Sequence, residues 1–175
     1  MSSAVIIRAH LPGGLERLRR RSVPNAADGV PAHLTMLYPF VAWDQLSTDV
    51  RRDLAAVAER HAAFSYRMTG PHRWPDAIYA GIELVEPFVR LQANLAAAFP
   101  ALPIYGSGWG LTFVPHVTVA EGAAVADART IADPAWAALP LDGFASRLEV
   151  IATDGVRWKT VWRLPLGRRA ERAPR

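Results

Sequence analysis

The chain has 175 residues, of which 51% are hydrophobic, and it contains no cysteine. This composition is typical of one globular domain and excludes disulfide bonds and thiolate metal sites. The formal net charge is +4, and Lys159 is the only lysine among the 20 basic residues. Arginine binds phosphate in a bidentate manner, so an arginine-rich chain favours a phosphate-bearing ligand. The same composition is equally typical of GC-rich coding DNA.

The sequence shows no feature of a membrane or secreted protein. The apolar residues 4–7 are too few for a signal-peptide core, and no apolar run approaches the ~20 residues of a membrane span. We therefore expect a cytoplasmic, monomeric protein without membrane contact. We also expect one domain over residues 1–167, followed by a basic, disordered tail over residues 168–175.

The first half of the chain predicts a strand, a helix and a second strand in that order. Ser47 or Asp44 is a candidate N-cap for the helix that comes next. The predicted elements are strand 4–8, helix 15–21, loop 25–29, a strand that begins near residue 33 and stops at Pro39, a helix ending near residue 62, strand 64–69 and loop 70–76.

The second half repeats this order of elements. It predicts strand 77–84, helix 86–99, a loop over 100–110, strand 115–120, a partly helical segment 122–138, and two alternating runs, 144–153 and 156–166. Asp154-Gly155 between the last two runs indicates a hairpin. We interpret the repetition as a duplication. It predicts an α+β fold of two pseudo-symmetric lobes, with sheets facing a central cleft and helices outside.

One tetrapeptide pattern occurs in both halves of the chain. His33-Leu34-Thr35-Met36 lies in the first, and His116-Val117-Thr118-Val119 lies close to half the chain length later. Strand side chains alternate between two faces. In each motif the histidine and threonine therefore share one face, and the apolar residues suit a core on the other.

The paired His-x-Thr motifs resemble those of the 2H phosphoesterase superfamily, in its 2′-5′ RNA ligase-like and cyclic phosphodiesterase branch. The resemblance extends over residues 3–167. It includes PAHLTMLYPF (residues 31–40), IYGSGWGLTFVPHVTVA (residues 104–120) and VWRLPLG (residues 161–167). The resemblance implies the same two-lobed layout with antiparallel sheets, in which the two motif strands meet across the cleft.

Two facing His-x-Thr strands suit phosphodiester chemistry. Imidazole titrates near neutral pH, so His33 and His116 can act as general base and general acid without a metal or another cofactor. The Thr35 and Thr118 hydroxyls can donate to the non-bridging phosphate oxygens. The sequence does not assign base and acid. The plain alternative is a pair of strand histidines satisfied by neighbouring hydrogen bonds. A zinc site would need further ligands that neither motif supplies.

Further substrate contacts are candidates at Tyr38, His72, Arg73 and Trp109. Aromatic side chains stack on bases, and loop residues can reach a ligand. Core packing is the competing interpretation for Tyr38, and an ordinary surface loop is the competing interpretation for the others. The glycines of residues 106–110 match neither the dinucleotide-binding fingerprint nor the serine-hydrolase pattern.

The sequence therefore favours a metal-independent phosphoesterase or ligase acting on RNA ends or 2′,3′-cyclic nucleotides. Two hypotheses compete with it. One is a non-catalytic RNA- or nucleotide-binding module of the same fold, and the other is a metal-dependent hydrolase.

Overall fold

The computed structural model describes residues 2–103 and 113–167. The strands are β1 (Ser2–Arg8), β2 (His33–Leu37), β3 (Phe64–Arg73), β4 (Ala77–Glu83), β5 (His116–Glu121), β6 (Leu141–Ala145), β7 (Arg147–Thr153) and β8 (Trp158–Pro165). The α-helices are α1 (Gly13–Ser22), α2 (Pro24–Ala27), α3 (Thr48–Glu59), α4 (Glu86–Ala98), α5 (Ala123–Ala126) and α6 (Ala128–Ile131). Short 3₁₀ helices cover Trp43–Gln45 and Pro134–Ala138.

The strands form two antiparallel sheets of four strands each. The first sheet has the order β2-β1-β7-β8 and the second has the order β5-β4-β3-β6. β2 and β5 are thus equivalent edge strands, and β1 and β4 are their equivalent neighbours. This pseudo-two-fold arrangement confirms the predicted α+β fold of two lobes around a central cleft.

The helices cross between the two lobes. α1 connects β1 to β2 of the first sheet but packs against β5 of the second. α4 connects β4 to β5 of the second sheet but packs against β2 of the first. Each motif strand is therefore supported by the helix of the opposite lobe, which holds the two edge strands together.

Alternation along the central strands builds a large hydrophobic core that both sheets share, and a smaller cluster of Ala4, Ile6, Val30 and Ile151 lies apart from it. The fully or almost fully buried members of the large core include Val5, Ile7, Leu34, Met36, Ile78, Ala80, Val117 and Val119. Each large apolar side chain of this kind contributes about 1.5–3 kcal/mol when it leaves water. Because Leu34 and Val117 point into the core, the residues next to them, His33 and His116, point to the opposite face of each strand, towards the cleft.

Several predicted boundaries are confirmed. Ser47 is the N-cap of α3, and its hydroxyl accepts a hydrogen bond from the Val50 amide at 3.2 Å. β7 and β8 form the predicted hairpin, with Gly155 in the left-handed region at φ 101°.

Within residues 2–103 and 113–167, no helix is both long enough and apolar enough to cross a membrane.

Three local predictions are wrong. The loop predicted over 25–29 overlaps the short helix α2, which begins at Pro24 because proline suits a first helical turn. The loop predicted over 70–76 is largely strand, because β3 continues past an irregularity to Arg73. The run predicted over 144–153 is two strands. The chain leaves β6 of the second sheet at Ala145 and enters β7 of the first at Arg147. Local periodicity carries no sign of that change of partner.

Candidate active site

The first motif holds His33 by a backbone carbonyl. His33 Nδ1 lies 2.7 Å from the Pro31 carbonyl oxygen, and Nε2 lies 3.0 Å from the Thr35 hydroxyl. A carbonyl oxygen only accepts hydrogen bonds, so Nδ1 must carry a proton. In the neutral ring, Nε2 therefore holds the lone pair. The half-buried imidazole presents this nitrogen on the same face as Thr35.

The second motif repeats this arrangement. His116 Nδ1 lies 2.8 Å from the carbonyl oxygen of Val114, again two residues earlier in the chain. His116 and Thr118 are both half-buried on the cleft side of β5, whereas Val117 and Val119 are fully buried. Both motifs therefore fix the same neutral tautomer, with the proton on Nδ1 and the lone pair on Nε2.

The two histidines differ in their electrostatic surroundings. The pKa of His33 is lowered to about 4, first by burial and then by the charges of Arg19, His116 and Arg8, against a hydrogen bond to Pro31 that raises it. At His116, burial lowers the pKa and the hydrogen bond to Val114 raises it. β2 and β5 are in contact, and the His116 charge acts on His33. The structure thus brings the two motifs to one site.

A buried arginine contacts the same carbonyl oxygen as His33. Arg19 on α1 is 2% exposed, and its Nη2 donates to the carbonyl oxygens of Val30 and Pro31 at 2.9 and 3.0 Å. The Pro31 carbonyl therefore accepts from both Arg19 and His33. Arg19 was not predicted from sequence, because its basic run on α1 is typical of a solvated helix face.

Aromatic rings surround His116. Trp74 meets the imidazole edge to face, with ring centroids 4.6 Å apart, and Tyr79 does so at 5.5 Å. Trp74 also lies 4.1 Å from Tyr79, and His72 stacks on Tyr79 at 5.6 Å. His72 thus lies beside the rings that contact His116. Tyr79 was not predicted, although its place in a strand that alternates with the buried Ile78 and Ala80 puts it on the cleft face.

The structure describes two of the remaining candidates, Arg73 and Tyr38. Arg73 pairs with Ile78, whose side chain is in the core, so Arg73 belongs to the sheet face opposite His72. Tyr38 follows the end of β2 and is 45% exposed. Trp109 and the loop over residues 106–110 fall outside the described residues, as does the predicted tail over 168–175. In the part of the chain that the structure describes, no three His, Asp or Glu side chains are grouped as metal ligands.

Solved structures share this fold. TT0787 of Thermus thermophilus is 19% identical, with a TM-score of 0.63 over 96% of this chain and 99% of that one. E. coli LigT complexed with 3′-AMP is 18% identical, with a TM-score of 0.60 over 94% and 97% of the two chains. E. coli LigT complexed with NADP+ is 16% identical, with a TM-score of 0.51 over 93% and 97%. A comparison with curated proteins found no match.

Two cleft-facing sheets with a His-x-Thr motif on each edge strand define the architecture of a 2H phosphoesterase. The family model described as the 2′-5′ RNA ligase superfamily matches residues 7–157. The chain belongs to that family.

Proposed function

We propose that this protein is a metal-independent phosphoesterase or ligase that acts on RNA ends or 2′,3′-cyclic nucleotides, with His33 and His116 as its general acid–base pair. The observation that supports it most directly is the matched tautomer of the two imidazoles. Each Nδ1 is held by the carbonyl oxygen two residues earlier, so in each neutral ring Nε2 is the nitrogen that can accept a proton. One nitrogen can then accept a proton while the other donates one.

Opening of a 2′,3′-cyclic phosphate illustrates the proposed step. One imidazole takes a proton from water as its oxygen bonds to phosphorus. The bond from phosphorus to one ribose oxygen breaks, and the other imidazole protonates that oxygen, which leaves a terminal phosphomonoester. In the ligation direction a ribose hydroxyl replaces water as the nucleophile. The Thr35 and Thr118 hydroxyls donate to the non-bridging oxygens, where charge develops.

The electrostatic difference between the two rings suggests their roles. Three cations add to burial at His33, whereas burial is the cause of the lowered pKa at His116. These positive charges disfavour the imidazolium of His33 and are not among the causes of the lowered pKa at His116. We therefore assign the base in cyclic phosphate opening to His33 and the acid to His116. A bound phosphate anion stabilises the imidazolium and favours this proton on His116.

The surroundings of His116 support a nucleotide ligand. Trp74, Tyr79 and His72 offer aromatic faces next to the proposed phosphate position. Bases stack on such rings with little dependence on sequence. The structures of E. coli LigT with 3′-AMP and with NADP+ concern proteins of the same fold that bind nucleotides.

The test is a panel of 2′,3′-cyclic nucleotides and 2′-5′ linked dinucleotides, with products identified by mass and by the position of the phosphate. We expect turnover of at least one substrate that is unaffected by chelators and lost in His33→Ala and His116→Ala. Tight binding of 3′-AMP or RNA without turnover would favour the non-catalytic module. Activity abolished by a chelator and restored by zinc would favour the metal-dependent hydrolase.

A further inference from the structure

A charged cluster lies on the cleft face of the first sheet, apart from the two motifs. Its centre is the Glu149 carboxylate, whose side chain is 0% exposed. Arg8 Nη2 contacts it at 2.8 Å, Arg147 Nε at 3.2 Å and Arg163 Nε at 3.9 Å. We refer to Arg8, Glu149, Arg147 and Arg163 as the arginine cluster. It was not predicted from sequence, because it forms only when three strands pair.

The pairing register connects this cluster to His33. Arg8 lies directly opposite His33 across β1 and β2. Ile6 lies opposite Glu149 across β1 and β7, and Glu149 lies opposite Arg163 across β7 and β8. Directly paired residues share a face, as do residues two apart in one strand. The cluster therefore lies on the same face of the sheet as His33. Arg147 is on β7, the second strand from β2, which corresponds to about 10 Å between the two strands.

The cluster holds more positive charge than its structural role requires. Arg8 contacts both carboxylate oxygens of Glu149 through Nε and Nη2, and the Thr160 hydroxyl donates to one of them at 3.3 Å. Burial raises the pKa of Glu149, but the hydrogen bonds and charges of Arg8 and Arg147 outweigh it and lower the pKa, so the carboxylate is ionised. One carboxylate against three guanidinium groups leaves an excess of two positive charges.

The two outer arginines have nitrogen donors available for a further acceptor. Arg147 and Arg163 are 48% and 60% exposed, and their described contacts to Glu149 use Nε only. Their terminal nitrogens make no described contact to Glu149, and both side chains are accessible to a ligand. A guanidinium presents two parallel N–H groups to a phosphate, which is the strongest hydrogen-bonding geometry available to it.

We propose that Arg147 and Arg163, held by Glu149 and Arg8, form a binding site for a second phosphodiester of the substrate, next along the strand from the reacting phosphate. The preferred substrate is then an oligonucleotide end rather than a cyclic mononucleotide. This inference rests on the proposed function, because it takes His33 and His116 as the position of the reacting phosphate.

The experiment compares two ligands by equilibrium binding, so that it does not depend on turnover. The probes are 3′-AMP and an RNA trinucleotide that ends in a 3′-phosphate. In the wild type we expect the trinucleotide to bind about tenfold or more tightly, because its additional phosphates accept charge-assisted hydrogen bonds from the cluster. In Arg147→Ala and Arg163→Ala this preference should fall about tenfold, and Arg163→Lys should retain part of it.

Arg52→Ala is the matched control. Arg52 is an exposed arginine on α3 that pairs with Asp49 and is not part of the arginine cluster. The preference for the trinucleotide should be unchanged in this variant. Melting temperatures of all variants verify folding. Where Arg147→Ala or Arg163→Ala does not fold, the glutamine variant at the same position, Arg147→Gln or Arg163→Gln, is used instead.

Two results would overturn the inference. One is a wild type that binds both probes equally, and the other is an equal loss of affinity for both probes in the arginine variants. Either result can occur in an enzyme that opens cyclic phosphates, so it leaves the proposed function intact. Conversely, an inactive wild type that still prefers the trinucleotide through Arg147 and Arg163 would contradict only the proposed function.

Discussion

Two histidines with the same hydrogen bond differ in how easily they hold a proton. A backbone carbonyl fixes each ring, but only His33 has Arg19 and Arg8 among the charges that act on it. The tautomer follows from local strand geometry at each motif. The protonation state follows from neighbours that other elements supply, and these could not be identified from the motifs alone.

Removal of either imidazole should cost most of the activity. We expect His33→Ala and His116→Ala each to lower kcat/KM on a 2′,3′-cyclic nucleotide by about 10² to 10⁴. The double variant should be little worse than the poorer single one, because groups that act as a unit are not additive. Thr35→Val and Thr118→Val should lose roughly tenfold to a thousandfold. These side chains face the cleft, so unchanged melting temperatures are the control, and full activity of either histidine variant would exclude the mechanism.

Arg19 should set the acidic limit of the pH profile. Burial and then the charges of Arg19, His116 and Arg8 lower the pKa of His33, so kcat/KM should follow a bell whose acidic limb lies below the usual histidine range. Without the Arg19 charge, the His33 imidazolium is less disfavoured and its pKa rises. Arg19→Met should therefore move the acidic limb to higher pH.

Arg19→Lys is the matched comparison, because it retains the charge while losing the paired donation to Val30 and Pro31. Its acidic limb should stay close to that of the wild type even if its melting temperature falls. An equal displacement of the limb in the Met and Lys variants would show that Arg19 acts through packing and not through charge.

At the scale of elements, the irregularity in β3 decides which side chains reach His116. Thr69 pairs with Gly81 and His72 with Tyr79, so three residues of β3 span two of β4. The extra residue returns His72 to the cleft face, where strict alternation would have placed Pro71. Glycine followed by proline indicates a loop when only neighbouring residues are considered, which is why the predicted third strand ends too early.

Gly81 should be required by the His72 ring. A Cβ atom at Gly81 would lie 2.7 Å from His72 Cδ2 and 2.9 Å from its Nε2. Gly81 also pairs directly with His116. We expect Gly81→Ala to displace the His72 ring and weaken nucleotide binding, measured as the affinity for 3′-AMP.

His72→Ala separates the two effects of that substitution. If the added methyl acts by displacing His72, then His72→Ala and the double variant His72→Ala/Gly81→Ala should bind 3′-AMP equally. A further loss in the double variant would show instead that the methyl disturbs His116 or the backbone of β4.

The elements that could be predicted from sequence are those whose signal is local. The motif strands, the Ser47 cap and the Asp154-Gly155 hairpin each depend on a few neighbouring residues. The change of sheet at Ser146, the pairing of Arg8 with Glu149 and the contact between Trp74 and His116 depend on strands distant in sequence. The pair of histidines could be predicted because the same motif occurs in both halves of the chain and places a histidine at the same position of each motif strand.

At the scale of the whole molecule, both lobes contribute to the site, because α1 and α4 each pack against the motif strand of the opposite lobe. α1 supplies Arg19 to His33 and also packs against β5, which carries His116. α4 packs against β2 from the other lobe. Because buried residues of both sheets join one core, neither motif strand has a complete support in its own half of the chain.

The excess of arginine over the whole molecule predicts strongly salt-dependent binding of RNA. Each phosphate that an arginine neutralises releases counterions, which gives a slope of about −0.7 in log K against log salt for a single strand. We expect a steep decrease in affinity for the RNA trinucleotide between about 50 and 200 mM salt, measured by fluorescence anisotropy. Arg163→Ala should reduce the slope by about 0.7, whereas Arg52→Ala should leave it unchanged. A slope near zero for the trinucleotide would contradict the prediction, because each phosphate that an arginine neutralises releases counterions.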